Sequence, residues 1–218
     1  MRVWPLILFA GALPTIAVLL CFWLSLSEQL IPACNPLIDG CTTISRACRY
    51  GTAYYVFKAL VLPAASLLAL YWWWTAQRLA GTGRHRGVVR SLRILGVTAS
   101  LFLALYASFL GSDGELFALY RRMGATLFFS ATFFCQLLLA VALRHETGWA
   151  GLSLYRSLCG LVGAQFTLGL LSLPITAWVV DKDRAENIIE WWFAIAMMAF
   201  FLLSTAMWRS WRLEFTKA

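Results

Sequence analysis

Residues 4–26 read WPLILFAGALPTIAVLLCFWLSL, an apolar run without a charged side chain. A membrane-spanning helix needs about 20 mainly apolar residues, so this run is long enough to cross a bilayer. Residues 34–49 follow it, read CNPLIDGCTTISRACR, and form the longest polar interval of the chain. A pattern of long apolar runs separated by short polar intervals predicts a bundle of membrane-spanning helices.

The composition of the whole chain favours the same fold class. The 218 residues are 61% hydrophobic and 13% charged, and the mean hydropathy is +0.74. A soluble domain would carry roughly 25% charged residues. The net charge of +8 comes from basic residues in short loops, which indicates membrane topology and not nucleic-acid binding. We therefore predict an all-α, polytopic membrane protein with no sizeable soluble domain.

Five further apolar runs follow the first one. Only helices and closed barrels span lipid, and continuous runs without period-2 alternation favour helices. We predict a single membrane domain, residues 1–218, with an outer loop at 27–53, and the second helix can begin as early as Thr43. The six spans are expected at about 4–26, 54–74, 92–110, 120–143, 154–180 and 188–208.

Lysine and arginine are distributed unequally between the two ends of this predicted bundle. Of the 18 basic residues, eleven fall on the side of the chain termini and seven on the side of the outer loop. Short loops rich in Lys and Arg stay in the cytoplasm. Both termini are therefore predicted to be cytoplasmic and the outer loop extracytoplasmic, either at a plasma (inner) membrane or at an endomembrane.

The outer loop holds three of the six cysteines, Cys34, Cys41 and Cys48. Disulfides persist on the oxidising side of a membrane, and an odd number of cysteines predicts one bridge and one free thiol. We favour a bridge from Cys34 to Cys41, which closes the Asn-Pro and Asp-Gly turn, while Cys34 to Cys48 competes with it.

Several polar side chains lie in or beside the spans at the depth of the outer loop. Ionisable groups inside a membrane are costly and usually mark function, and the guanidinium fork of arginine suits phosphate. We predict a pocket for an anionic lipid headgroup, in which the cations bind phosphate while the acids and the amide pair with them or bind hydroxyls and amines. The candidate headgroup-binding residues are Asp39, Arg49, Tyr54, Lys58, Arg121, Arg122, Asn187 and Glu190.

Structural roles are open for the same side chains. Lys58 can snorkel to the interface, and Asp39 can be a turn residue before Gly40. Arg121 and Arg122 can serve topology and general headgroup contact, and Glu190 can pair with a cation of a neighbouring helix.

Enzyme and metal signals are weak in this sequence. It contains no H-E-x-x-H, G-x-S-x-G or P-loop pattern, and its two histidines fall on the side opposite the outer loop. We predict no metal and no cofactor, and we assign no catalytic residue. Binding or handling of a membrane lipid is the leading hypothesis. The alternatives are an enzyme that transfers or removes an acyl chain on a lipid, and an interaction subunit that docks a protein partner through the outer loop.

Three short motifs resemble a known six-span family. The outer loop contains Ile38-Asp39-Gly40, the fourth span opens with Arg121-Arg122-Met123-Gly124-Ala125-Thr126-Leu127-Phe128, and the last span opens with Ile189-Glu190-Trp191. In this pattern the chain is similar to the damage-regulated autophagy modulators, the Golgi GPI-anchor remodelling protein and the fungal Sfk-type lipid regulators. Arg156 fits the family's arginine near the start of the fifth span.

The resemblance implies a function in GPI-lipid remodelling, in phospholipid distribution or in regulating a lipid-acting partner. Arg121 stands where the family has histidine. A fixed cation therefore replaces a titratable side chain at that position, which argues against histidine-dependent chemistry.

Overall fold

The computed structural model describes residues 2–146, 148–178 and 181–209, apart from the side chains of residues 175–178. In this part of the chain, six helices are long and apolar enough to cross a membrane, as the sequence predicts for a multi-pass membrane protein. The α-helices are α1 (Trp4–Ser27), α2 (Pro36–Asp39), α3 (Ile44–Ala47), α4 (Gly51–Ala80), α5 (Arg86–Phe109), α6 (Glu115–Leu143), α7 (Leu152–Trp178) and α8 (Lys182–Ser204), and a 3-10 turn (Thr205–Trp208) follows.

Most of the long helices extend beyond the predicted spans, because apolarity marks only the part of a helix that suits hydrocarbon. The start of α4 is capped by Glu28, whose carboxylate accepts a hydrogen bond from the backbone N–H of Thr52 at 3.1 Å. Asp181 accepts one from the N–H of Arg184 at 3.3 Å at the start of α8. Carboxylates satisfy free N–H groups at helix N-termini, so these helices continue into polar sequence. Residues 179–180 of the predicted fifth span lie outside the described residues.

The six long helices form a closed ring. Each packs on the next in chain order, from α1 to α4, α5, α6, α7 and α8, and α8 returns to α1. The pair α4 and α5 approaches closely because Gly96 lies against the side chain of Trp72, and any larger residue would collide with that ring. The ring leaves an interior space towards the end that carries the outer loop, which is called the loop end below.

The predicted bridge from Cys34 to Cys41 is confirmed, with Cα atoms 6.6 Å apart. It closes the segment that holds α2, and Cys48 is a buried free thiol. Gly40 ends α2 with a φ of 59°, in the left-handed region. A side chain at that position would collide with the backbone carbonyl of Arg184. The turn thus requires glycine both for its conformation and for its contact with α8.

Side chains of α8 hold this loop over the ring. Asn187 Nδ2 donates to the carbonyl of Gly40 at 2.7 Å, and Trp191 Nε1 donates to the carbonyl of Thr42 at 2.9 Å. From the neighbouring helix α1, Ser25 donates to the carbonyl of Ala47 at 2.6 Å. The loop is therefore a fixed roof and not a free tail.

Candidate functional site

A cavity of about 500 Å³ lies beneath the roof, inside the helix ring. This volume falls within the range of about 300–1,000 Å³ that is usual for small-molecule sites. On α8 the lining runs from Glu190 to Phe201, about 16 Å at 1.5 Å per residue. The cavity is thus about half as deep as the hydrocarbon core of a bilayer, which measures about 30 Å.

The cavity wall has two chemically different zones. The deeper zone is apolar, and the zone under the roof carries three arginines and a carboxylate. The apolar lining includes Val18, Phe57, Val61, Leu68, Leu103, Phe128, Phe129, Met197, Met198 and Phe201, and the polar lining includes Thr43, Ser45, Arg49, Arg121, Arg122 and Glu190. Such a division suits an amphipathic ligand with a polar head and an apolar chain.

Two of the arginines are positioned by neighbouring polar groups. Arg121 of α6 donates to the carbonyl of Phe109, at 3.4 Å, and to that of Ser112. Arg49 donates through Nη2 to Ser45 Oγ at 3.1 Å, while its buried Nε has no hydrogen-bond partner among the described residues. A guanidinium carries five N–H donors, so both arginines keep donors available for a ligand.

Arg122 stands at the mouth of the cavity. It follows Arg121 on α6, and both Arg122 and Thr126 line the cavity while also being exposed at the surface. The cavity therefore opens along α6, at the side of the bundle. A ligand already dissolved in the bilayer could enter there without crossing the roof.

Glu190 is the acidic member of the polar zone. Its Oε1 accepts a hydrogen bond from the backbone N–H of Ile44 at 3.2 Å, which joins α8 to the start of α3. It also lines the cavity together with the three arginines. One carboxylate against three guanidinium groups leaves this zone with an excess of positive charge.

The sequence predicts that Lys58 shares this pocket, but Lys58 is not part of the cavity lining, and its contact with a headgroup stays a prediction. Phe57 and Val61 are the α4 residues that face the cavity at this depth, and the next position points about 100° away around the helix. Lys58 Nζ instead donates to Tyr54 Oη at 2.5 Å and lies 4.1 Å from the centre of the Tyr54 ring. Tyr54 lines a neighbouring open groove, which shares Arg49 with the cavity lining.

Asp39 belongs to the roof and Asn187 of α8 holds the roof in place, and neither residue lines the cavity. Asp39 Oδ2 accepts from the backbone N–H of Asn35 at 2.9 Å, which is the turn role considered for it above. Asn187 donates to the carbonyl of Gly40, and both residues line a surface groove outside the cavity. Of the eight candidates, the structure thus brings together Arg49, Arg121, Arg122 and Glu190; whether they bind a headgroup stays a prediction.

Sequence reasoning missed the glutamine pair that joins three helices deeper in the bundle. Gln165 Nε2 of α7 donates to Gln136 Oε1 of α6 at 2.8 Å, and Gln136 Nε2 donates to the carbonyl of Met197 in α8 at 3.2 Å. Both glutamines are fully buried. Polar amides inside otherwise apolar runs were the available signal, since such side chains commonly link membrane helices.

No group of three or more His, Cys, Asp or Glu side chains within the described ranges has the arrangement of a metal site. Comparison of the whole chain with protein-family models, with curated proteins and with solved structures gave no match.

Proposed function

We propose that this protein binds a membrane phospholipid in the cavity under the roof. The phosphate group lies among Arg49, Arg121 and Arg122, and an acyl chain occupies the apolar zone below. The observation that supports this most directly is the two-zone lining of one cavity, which matches the two halves of a lipid. The side opening along α6 supplies a route from the bilayer.

The chemistry of the polar zone favours phosphate over other headgroup chemistry. Arginine donates two parallel hydrogen bonds to phosphate oxygens, and charges in a low-dielectric site interact more strongly than they do in water. Glu190 would contact a hydroxyl or an amine on the same headgroup. The resemblance to lipid-remodelling and lipid-distribution proteins points to the same class of ligand.

The proposal includes an orientation in the membrane. The loop end faces the extracytoplasmic side, so the cavity takes a lipid from the outer leaflet, and both termini are cytoplasmic. Support comes from the excess of basic residues at the other end and from the disulfide in the roof.

The contacts in the cavity favour binding over acyl-transfer chemistry. A serine nucleophile needs a base within hydrogen-bond reach. Ser45 Oγ accepts from Arg49, and Glu190 Oε1 accepts from the backbone of Ile44. Both groups therefore act as acceptors, and among the described residues no hydrogen bond joins the Ser45 hydroxyl to the Glu190 carboxylate as a nucleophile and its base would require.

Retention of lipid by the purified protein tests the proposal. The Arg122→Gln variant, incubated with phosphatidylglycerol in detergent and examined by native mass spectrometry, is expected to retain about five- to tenfold less lipid than the wild type, because a charge-assisted bond to phosphate is lost. The matched control is Arg46→Gln, since Arg46 is an exposed arginine of the roof that lies outside the cavity lining. Equal losses in the two variants would show that only surface charge matters.

A second variant tests the apolar zone separately from charge. Ala125→Phe fills the cavity from α6 and is expected to reduce retention, whereas Ala164→Phe, at an exposed position of α7, leaves it unchanged. Full retention by a folded Ala125→Phe protein would place the bound chain elsewhere.

Substitution of Glu190 identifies the headgroup class. Glu190→Gln keeps an acceptor for the N–H of Ile44 but removes the negative charge. If the carboxylate holds an amine, the variant will lose phosphatidylethanolamine while it gains phosphatidylglycerol, so the ratio of the two retained lipids shifts severalfold. An unchanged ratio would exclude contact between Glu190 and the headgroup.

A further inference from the structure

A second lipid-sized feature lies on the outside of the bundle, along the seam between α4 and α5. At the end opposite the roof, a groove of about 470 Å³ is lined by Arg86, Arg90 and Arg93, together with His85. Further along the same seam, a groove of about 490 Å³ is lined by Trp73, Ser100, Leu101 and small residues such as Ala69 and Ala104. Neither groove shares a lining residue with the cavity.

Arg93 and Trp73 connect the two grooves. The guanidinium carbon of Arg93 lies 5.2 Å from the centre of the Trp73 ring, and Arg93 Nη2 donates to Gln77 Oε1 at 2.8 Å. The buried Nε of Arg93 has no hydrogen-bond partner in the described part of the chain. Arg93 is thus held in place with its Nε donor unused, at the boundary between the basic and the apolar groove.

The basic groove has the charge that an anionic headgroup requires. Its three arginines stand at positions i, i+4 and i+7 of α5, which places them on one face of the helix. The described lining contains no Asp or Glu. The Glu146 carboxylate lies beside this groove, with its Oε1 3.3 Å from His85 Nε2.

The apolar groove has the size and exposure that an acyl chain requires. From Arg93 to Ala104 the α5 helix rises about 16 Å, which is about one leaflet of a hydrocarbon core about 30 Å thick. Trp73 and Leu101 are 48% and 66% exposed, so this surface faces outward. Small side chains make the channel between these larger ones.

We propose that the α4–α5 seam is a second lipid site, which holds an anionic phospholipid in the leaflet at the end opposite the roof. Arg86, Arg90 and Arg93 bind its phosphate, and one acyl chain lies between Trp73 and Ala104. This site does not depend on the cavity, and a lipid can occupy either one alone.

Paired charge substitutions test the headgroup part. The test variant is Arg86→Gln/Arg90→Gln, and the control variant is Arg84→Gln/Arg144→Gln. Both variants and the wild type are purified in detergent, mixed with phosphatidylglycerol and phosphatidylcholine, and examined by native mass spectrometry. The two double variants lose equal charge, and neither Arg84 nor Arg144 lines the groove. The groove variant is expected to lose retained phosphatidylglycerol by about fivefold per arginine, and the control to lose less than twofold. Equal losses, or no loss in the groove variant, would overturn the proposal.

Ala69→Phe tests the acyl-chain part without any change of charge. It blocks the apolar groove and is expected to lower phosphatidylglycerol retention severalfold, with Ala164→Phe on the exposed side of α7 as the matched control. Gel filtration establishes that each variant is folded. Unchanged retention in folded Ala69→Phe would overturn the assignment of the chain to this seam. None of these variants changes a residue of the cavity lining. A lipid bound in the cavity therefore adds the same amount of retained lipid to the measurement on every variant.

Discussion

Cys48 is a free thiol next to the C-terminal end of α3, and it has no exposed surface. Burial raises its pKa well above the ordinary value, and the neighbouring Cys21 thiol and the Glu190 carboxylate raise the pKa further. The thiolate is the reactive form, so the free cysteine of the roof is protected both by packing and by protonation.

We expect Cys48 to react far more slowly with iodoacetamide at pH 8 than an exposed thiol in the same loop. The control is an Arg46→Cys variant, because Arg46 is exposed two positions away; alkylation of both sites is followed by peptide mass spectrometry. The pKa of Cys48 is higher in the folded protein than in the unfolded one. The stabilisation that results from binding this proton is therefore complete below the ordinary pKa of 9.0 and falls as the pH rises above it. Equal alkylation rates at the two sites would contradict the buried position.

Lys58 shows what the sequence could not supply at the scale of single residues. Its depth, on the loop-end side of the second span, follows from its place in the apolar run. Its direction depends on how α4 is rotated about its axis, and α4 is apolar on nearly every side, so the pattern defines no inward face. Arg121 and Glu190 lie near helix ends under the roof, where position along the chain was enough to bring them together.

At the scale of elements, the roof depends on α8 more than on its own short helices. Both α2 and α3 are four residues long, too short to be stable alone. The first residues of these helices can be predicted from the sequence, because Asn35 caps α2 ahead of Pro36 and Thr43 caps α3, and these residue types are common at such positions. The contacts of the roof with α8 cannot be predicted from the sequence, since they join residues about 150 positions apart.

Substitution of two adjacent tryptophans of α8 measures how much the contacts between α8 and the roof contribute to the free energy of unfolding. Trp191 is 3% exposed, and Trp191→Phe leaves the carbonyl of the buried Thr42 without its donor, at an expected cost of about 1–3 kcal/mol. Trp192 donates to the carbonyl of Leu37 at 3.2 Å but is 46% exposed, so Trp192→Phe should cost less than about 0.5 kcal/mol. Unfolding in a titration with a denaturing detergent gives both values. A larger loss for Trp192→Phe would mean that the roof is held at its edge and not at its centre.

At the scale of the whole molecule, the number and positions of the long helices follow from the sequence, because a bilayer sets the length of an apolar run. The cavity and the outer seam do not follow from it. Both are spaces left where neighbouring helices meet, and their shape depends on pairs such as Gly96 against Trp72. Sequence reasoning could therefore name the arginines near the outer loop and the excess of basic residues at the other end, but not the apolar channels that continue from them.

The two proposed lipid sites lie at opposite ends of the bundle and thus require opposite leaflets. Asp113 follows α5 at the loop end, Arg84 precedes α5 at the other end, and both are exposed, so Asp113→Cys and Arg84→Cys report the two sides of the membrane. In intact cells, a membrane-impermeant maleimide is expected to label the first variant at least severalfold more than the second, and permeabilisation should make them equal. The reason is that basic loops are retained in the cytoplasm, and the disulfide of the roof needs an oxidising compartment. The reverse labelling pattern would exchange the leaflets of the cavity and of the α4–α5 seam, and would place the arginine-rich end outside.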